Sequence, residues 1–262
     1  MAINITKQTE QYEKDFIELA QSFPSKYNIH TVWQDLITML ACEYSTIPSF
    51  SDTKSKMIRR TKMSEEVMAK YTDEEFNRFD QMCGIILDAI RGNLSHDFLD
   101  AVAYKLNIIT ASTKSTKIST IVSPSIKEAK QQIETKGYFP VVDSSINTGS
   151  ELLALANTYK KESIDCMNSV LFVGQDTDQT AALTAYIKLT ILGYSGRITI
   201  LKEPTSSTPC DTLTCDTSAM NIWCTPMYLS SSWAQLKAIE ELVTTMPDPS
   251  LFTVNVHKVK KQ

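Results

Sequence analysis

From the amino terminus to about Thr110, apolar positions recur at helical spacing. Tyr12, Phe16, Leu19, Ala20 and Phe23 fall on one face, as do Val32, Leu36, Met39 and Leu40 after Thr31, so both segments read as amphipathic helices. Thr46–Lys56 lacks a period and reads as a loop, interrupted by Pro48. Thr72-Asp-Glu-Glu75 has the spacing of a capping box, in which hydroxyl and carboxylate satisfy free backbone donors. The helix behind it carries Phe76, Phe79, Met82, Cys83 and Ile86 inward and is expected to stop at Gly92. Ser95 or Asp97 then starts a helix with Phe98, Val102 and Leu106 on its buried side.

From about Lys117 the pattern changes. Ser123-Pro124 reads as a helix start with proline in the first turn, and Gly137 as that helix's end. Short apolar runs at Tyr138–Asp143, Ser169–Gly174 and Arg197–Leu201 alternate with helical patterns at Ser150–Lys160 and Gln179–Leu192. Strands alternating with helices at this spacing predict a parallel sheet with right-handed crossovers. A polar loop, Glu203–Met220, leads to Asn221–Trp223, a helix near Ser232–Thr244 and a last strand, Leu251–His257. The expected organisation is a helical region over 1–115 and a doubly wound, mostly parallel α/β domain over 116–262. Ligands of such sheets bind at the carboxyl ends of the strands, near the reversal of strand order. Here those ends are Asp143–Gly149, Asp176–Asp178 and Lys202–Pro204.

Charge and composition narrow the function. The net charge is −4, and cutting the chain at Lys136 leaves neither part basic, which excludes a protein that coats nucleic acid by bulk charge. A local basic run remains at Lys54, Lys56, Arg59, Arg60 and Lys62, either a solvated loop or a phosphate-contacting patch. The six cysteines form no CxxC pair and no array with histidine, so no metal site is expected; reduced thiols are, with Cys210 and Cys215 exposed in the polar loop. His30, His96 and His257 are dispersed. No apolar run approaches the ~18–20 residues of a membrane helix, and the polar start is neither signal nor transit peptide. A cytoplasmic protein without a membrane partner is the expectation. Only 7 of 262 residues are glycine, well below the usual ~7%.

Several segments, in order, resemble the N6-adenine DNA methyltransferases of the type I restriction modification-subunit kind, especially the short phage and mobile-element branch. Asp97-Phe-Leu-Asp-Ala-Val-Ala-Tyr104-Lys-Leu106 resembles the family's DxLGxLYxxL segment, and Ile121-Val122-Ser123-Pro124 its FFTP-like cofactor motif. Asp143-Ser-Ser-Ile-Asn-Thr-Gly149 aligns with a DPxCGSG loop, and Gly174-Gln175-Asp176-Thr177-Asp178-Gln179 with a GQExxP stretch. Asn221-Ile-Trp223-Cys-Thr225-Pro226-Met227-Tyr228 resembles VWYTPMYF. The resemblance spans roughly Lys70 to Leu229 and implies a Rossmann-like methyltransferase sheet. It also implies an S-adenosylmethionine site at Pro124, Asp143, Gly149 and Asp176. Asp143 would hold the ammonium and Asp176 the ribose hydroxyls; each carboxylate equally suits a helix N-terminus, where the macrodipole favours it.

Three departures argue against methyl transfer. Ile146 and Asn147 stand where the family has small residues, so the cofactor pocket is expected to be narrowed or filled. Leu201 and Lys202 replace the adenine-contacting glycine and acid, and a lysine offers only donors. None of the nine prolines is adjacent to another, so the NPPY/F-type motif that grips a flipped base is absent. The leading expectation is therefore a catalytically impaired methyltransferase-like protein that binds DNA or a partner in a host defence complex (restriction–modification or CRISPR). The alternative is an active enzyme with an atypical target site in which Asn221, the carbonyl beside Pro226 and Tyr228 take the acceptor and stacking roles. A homo-oligomeric structural protein is the third reading. Trp223 and Tyr228 also suit plain packing under the long loop, and Trp33 an apolar helix face.

Overall fold

The computed structural model describes residues 2–47, 52–109 and 120–245. Five helices come first: α1 (Ala2–Gln21), α2 (Ile29–Ser45), α3 (Lys54–Met68), α4 (Asp73–Gly92) and α5 (Phe98–Lys105). The local signals explain most of their boundaries. The Asn28 side chain accepts from the His30 amide to start α2. Thr72 and Glu75 form the expected reciprocal capping box on α4, and Asp97 caps α5. Helix α4 runs through Gly92 and is capped by Asn93. The basic run is not a loop: it lies on α3, where Lys56, Arg60 and Val67 face inward.

The second part alternates as expected: β1 (Ile121–Val122), α6 (Ile126–Lys136), β2 (Phe139–Asp143), α7 (Ser150–Lys161), the single turn α8 (Cys166–Ser169) and β3 (Val170–Asp176). Then follow α9 (Gln179–Ile191), β4 (Ser195–Ile200), β5 (Ile222–Cys224) and α10 (Ser231–Thr245). The start of α6 lies two residues beyond the Ser123 expected from the proline. Ser125 is the cap, in a capping box with Glu128, and left-handed Gly137 closes the helix. The expected strand Leu251–His257 lies outside the described residues.

The protein is thus an α/β fold with a helical N-terminal region and, among the described residues, a five-stranded mixed sheet in the order β1-β2-β3-β4-β5. The central pairs β2–β3 and β3–β4 are parallel, and the short flanking strands β1 and β5 are antiparallel. The order of the described strands never reverses, so they do not by themselves form the switch point that the doubly wound expectation placed at the site. Crossovers of one hand that step in one direction put their helices on one face. Accordingly Leu152, Ala156 and Tyr159 of α7 and Ala182 and Tyr186 of α9 pack with Phe139, Val141, Phe172 and Ile198. The same core continues without a break into Phe16, Trp33, Leu36, Phe79 and Phe98 of the helical region.

The opposite sheet face is covered by α10 and the loop 203–220. There Tyr138, Val142, Leu171 and Val173 meet Leu213, Tyr228 and Trp233. Tyr228 and Trp223 are core residues, as their packing reading required.

A buried ionic cluster fastens the helical region to the sheet. The Lys188 ammonium on α9 lies 2.7 Å from carboxylate oxygens of both Asp97 and Asp100, and 3.3 Å from Ser150 Oγ. Asp100 also accepts from the Thr148 and Ser150 hydroxyls. Burial pushes the Asp100 carboxyl up, but Lys188 and the two hydroxyls outweigh it and hold the group below its ordinary value.

Candidate functional site

Strand ends β2 and β3 and the turn into α7 do bring Asp143, Gly149 and Asp176 together, as expected. Their chemistry is turned inward. Asp143 is buried and accepts from Thr120 Oγ1 at 2.5 Å and the Ser145 amide at 3.0 Å. Asp176 accepts from the amides of Asn147 at 2.8 Å and Asp178 at 3.0 Å. Gly149 adopts φ +78° at the start of α7, and a Cβ there would stand 2.9 Å from Ala185 Cβ. Ile146 is buried and lies over Gly174: a Cβ on Gly174 would fall 2.2 Å from Ile146 Cδ1 and 3.0 Å from Ile146 Cβ. The Ile146 side chain packs on Gly174 between the two strand ends, and both carboxylates already accept hydrogen bonds from neighbouring backbone amides or a hydroxyl. These residues do not fit S-adenosylmethionine.

Pro124 is carried away from this cluster. Ile121 pairs with Asp143, but β1 runs antiparallel to β2. The strand ends at Val122, and Pro124 follows beyond it in the segment before α6, whose cap is Ser125. The atypical target site is likewise not assembled. Asn221 sits at the carboxyl edge, its Nδ2 donating to the Ile200 carbonyl at 2.8 Å. Strand β5 then runs the other way, and at its far end the Thr225 amide donates to Gly196. Pro226 and Tyr228 follow there, with the Tyr228 hydroxyl donating to the Leu213 carbonyl at 3.3 Å beneath the loop.

What the carboxyl edge does form is a cavity of about 560 Å³, within the range of small-molecule sites. Helix α3 supplies Lys56, Arg59, Arg60 and Met63 at one-face helical spacing. The β3–α9 turn supplies Thr177 and Gln179, the end of β4 Ile200, Leu201 and Lys202, and the start of β5 Met220, Asn221 and Trp223. Neither this cavity nor a much smaller one beside His96 and Lys188 is lined by Asp143, Ile146 or Asp176.

The cations divide by role. Lys56 is fully buried; its ammonium bonds Asp52 at 2.8 Å, the Thr217 carbonyl and the Ile222 carbonyl at 3.2 Å. Arg60 donates to the same Ile222 carbonyl at 2.8 Å and lies 4.0 Å over the Trp223 ring, a cation–π contact. Burial pushes its guanidinium below the ordinary value. Because a buried charge must be paired, these two build the wall rather than a free surface. Arg59 and Lys202 are exposed at the cavity and keep their charges available. Lys54 and Lys62 point to solvent elsewhere on α3, with Lys62 3.9 Å from Glu66. Among the described residues the five-residue basic patch therefore divides into one exposed arginine, two buried wall cations and two solvated lysines.

Sequence reasoning named the strand ends that hold Thr177 and Lys202 but missed Met63, Gln179 and Met220. The available signal was the helical spacing Lys56–Arg60–Met63–Val67, which marks an inward face within the basic run.

Among the described residues no group of histidine, cysteine and acidic side chains could hold a metal ion, and no helix is long and apolar enough to cross a membrane. No family model matches the chain, and no curated protein or solved structure is significantly similar to it.

Proposed function

We propose that this protein acts by binding nucleic acid through the cationic cavity, on a methyltransferase-like scaffold that no longer transfers methyl groups. The cavity lining carries the reading: two exposed cations, Arg59 and Lys202, two wall cations that share Asp52, two side-chain amides and an indole, with no carboxylate in the lining itself. Such a lining attracts phosphate while leaving apolar surface for a base or sugar, and it concentrates positive potential locally on an otherwise acidic chain. The order of motifs along the sequence supports the scaffold half of the proposal. The self-filled space at Ile146 and the separation of Asn221 from Pro226 and Tyr228 support the loss of transfer chemistry.

The test is fluorescence anisotropy with a labelled oligonucleotide over a salt series, beside calorimetry with S-adenosylmethionine. Expected is binding whose logarithm falls linearly with log salt, at about −0.7 to −0.9 per phosphate contacted. Arg59→Ala and Lys202→Ala should each weaken binding and flatten the slope by about one contact. S-adenosylmethionine should give no heat. Absence of oligonucleotide binding at low salt, or cofactor heat that Asp143→Ala and Asp176→Ala abolish, would overturn the proposal.

A further inference from the structure

The loop 203–220, between β4 and β5, both covers one sheet face and supplies a wall of the cavity. Sequence reading left Cys210 and Cys215 as separate exposed thiols; the structure joins them in a disulfide across five positions. Cys210 is exposed and Cys215 half-buried, so a thiol reductant can reach the pair. The small ring they close carries much of the loop's docking. The buried Arg197 guanidinium donates to the carbonyls of Cys210 and of Thr212, the latter at 3.0 Å. Glu240 on α10 accepts from the Leu213 and Thr214 amides at 2.8 and 3.2 Å, and the Leu213 side chain is buried between. Immediately beyond the ring, the Thr217 carbonyl accepts from Lys56, and Met220 and Asn221 line the cavity.

We propose that the Cys210–Cys215 disulfide is a redox latch on the cavity wall. Closed, it fixes the ring in the shape that presents two carbonyls to Arg197 and two amides to Glu240, and so seats Thr217 on Lys56. Reduction by a dithiol transfers two electrons and two protons: the sulfur–sulfur bond breaks, Cys210 and Cys215 become thiols, and the reductant becomes a disulfide. The ring then keeps its docked shape only by its bonds to Arg197 and Glu240 and by the buried Leu213 side chain, and the segment through Met220 undocks more often. Exposed disulfides are the labile, regulatory kind, in contrast to buried structural ones. The four remaining cysteines are buried or half-buried.

The latch is independent of what the cavity binds, and the experiment keeps the two apart. Amide hydrogen exchange is followed by mass spectrometry on the full chain, oxidised and after dithiothreitol, with alkylation counting thiols. Reduction should expose two alkylatable thiols and speed exchange over 211–220 by about tenfold, while α4 and α7 stay unchanged. The Cys210→Ser, Cys215→Ser double variant should exchange like the reduced chain and ignore the reductant. Affinity for the labelled oligonucleotide should shift severalfold between the two states. Unchanged exchange on reduction, or free thiols at both positions after treatment with oxidised glutathione, would overturn the latch. Loop release without oligonucleotide binding in either state would keep the latch and sink the nucleic-acid reading.

Discussion

If Ile146 fills the place of a nucleoside by resting on Gly174, the two positions must be energetically coupled. Gly174→Ala adds a methyl whose carbon would fall 2.2 Å from Ile146 Cδ1 and 3.0 Å from both Cγ1 and Cβ. A rotamer change relieves the first contact but not the last, so overpacking should cost about 1–3 kcal/mol. Ile146→Ala removes a buried side chain and leaves a cavity, costing about 2–5 kcal/mol. In the double variant the new methyl occupies part of that cavity, and the collision is largely gone. Its loss should therefore fall short of the sum by about 1–2 kcal/mol, within the 0.5–3 kcal/mol typical of contacting pairs. Urea unfolding followed by circular dichroism and tryptophan fluorescence would measure all four chains. Additivity to within about 0.5 kcal/mol would mean that the two residues do not touch, and the account of a self-filled site would fail.

Further outcomes follow from the ionic and thiol chemistry. Lys188→Met leaves Asp97 and Asp100 without their cation and should cost about 3–5 kcal/mol, read from the urea midpoint. An unchanged midpoint would show that the cluster is not closed. The Thr72 amide, with Tyr27 and Lys26, holds the Glu75 carboxyl down at about 2 from an ordinary 4.5. Its contribution is complete above pH 4.5 and is lost as pH falls towards 2, so melting temperature should drop over that window and Glu75→Gln should flatten the drop. Burial raises the Cys42 and Cys166 thiols to about 11 and Cys83 and Cys224 to about 12. All four should resist iodoacetamide at pH 8 in the folded chain, and rapid labelling of any would contradict its placement.

The local grammar of the chain was legible where one residue type has one structural use. Thr72–Glu75, Asp97 and Gly137 mark helix ends by their own hydrogen bonding or backbone freedom, and the structure keeps all three roles. Strand order was not legible, because an apolar run states that a strand is buried but not which strand lies beside it. The α3 run was misread for a related reason: cations were counted as solvent-seeking, whereas Lys56 and Arg60 find Asp52 and the Ile222 carbonyl inside. The cavity draws on four segments that meet only after folding. Asn221 and the basic run were each singled out separately, and their juxtaposition is tertiary information. The Cys210–Cys215 pair has no sequence signature beyond its loop.

The hold of Lys56 and Arg60 on Ile222 reaches beyond ligand chemistry. That carbonyl faces away from β4, on the outer rim of the last described strand. Unguarded rims of this kind recruit strands from neighbouring molecules and seed fibres. Two side chains from a distant helix plug it, so the groups that wall the cavity also cover the rim. A chain stripped of both cations should therefore be more prone to precipitate than the native one.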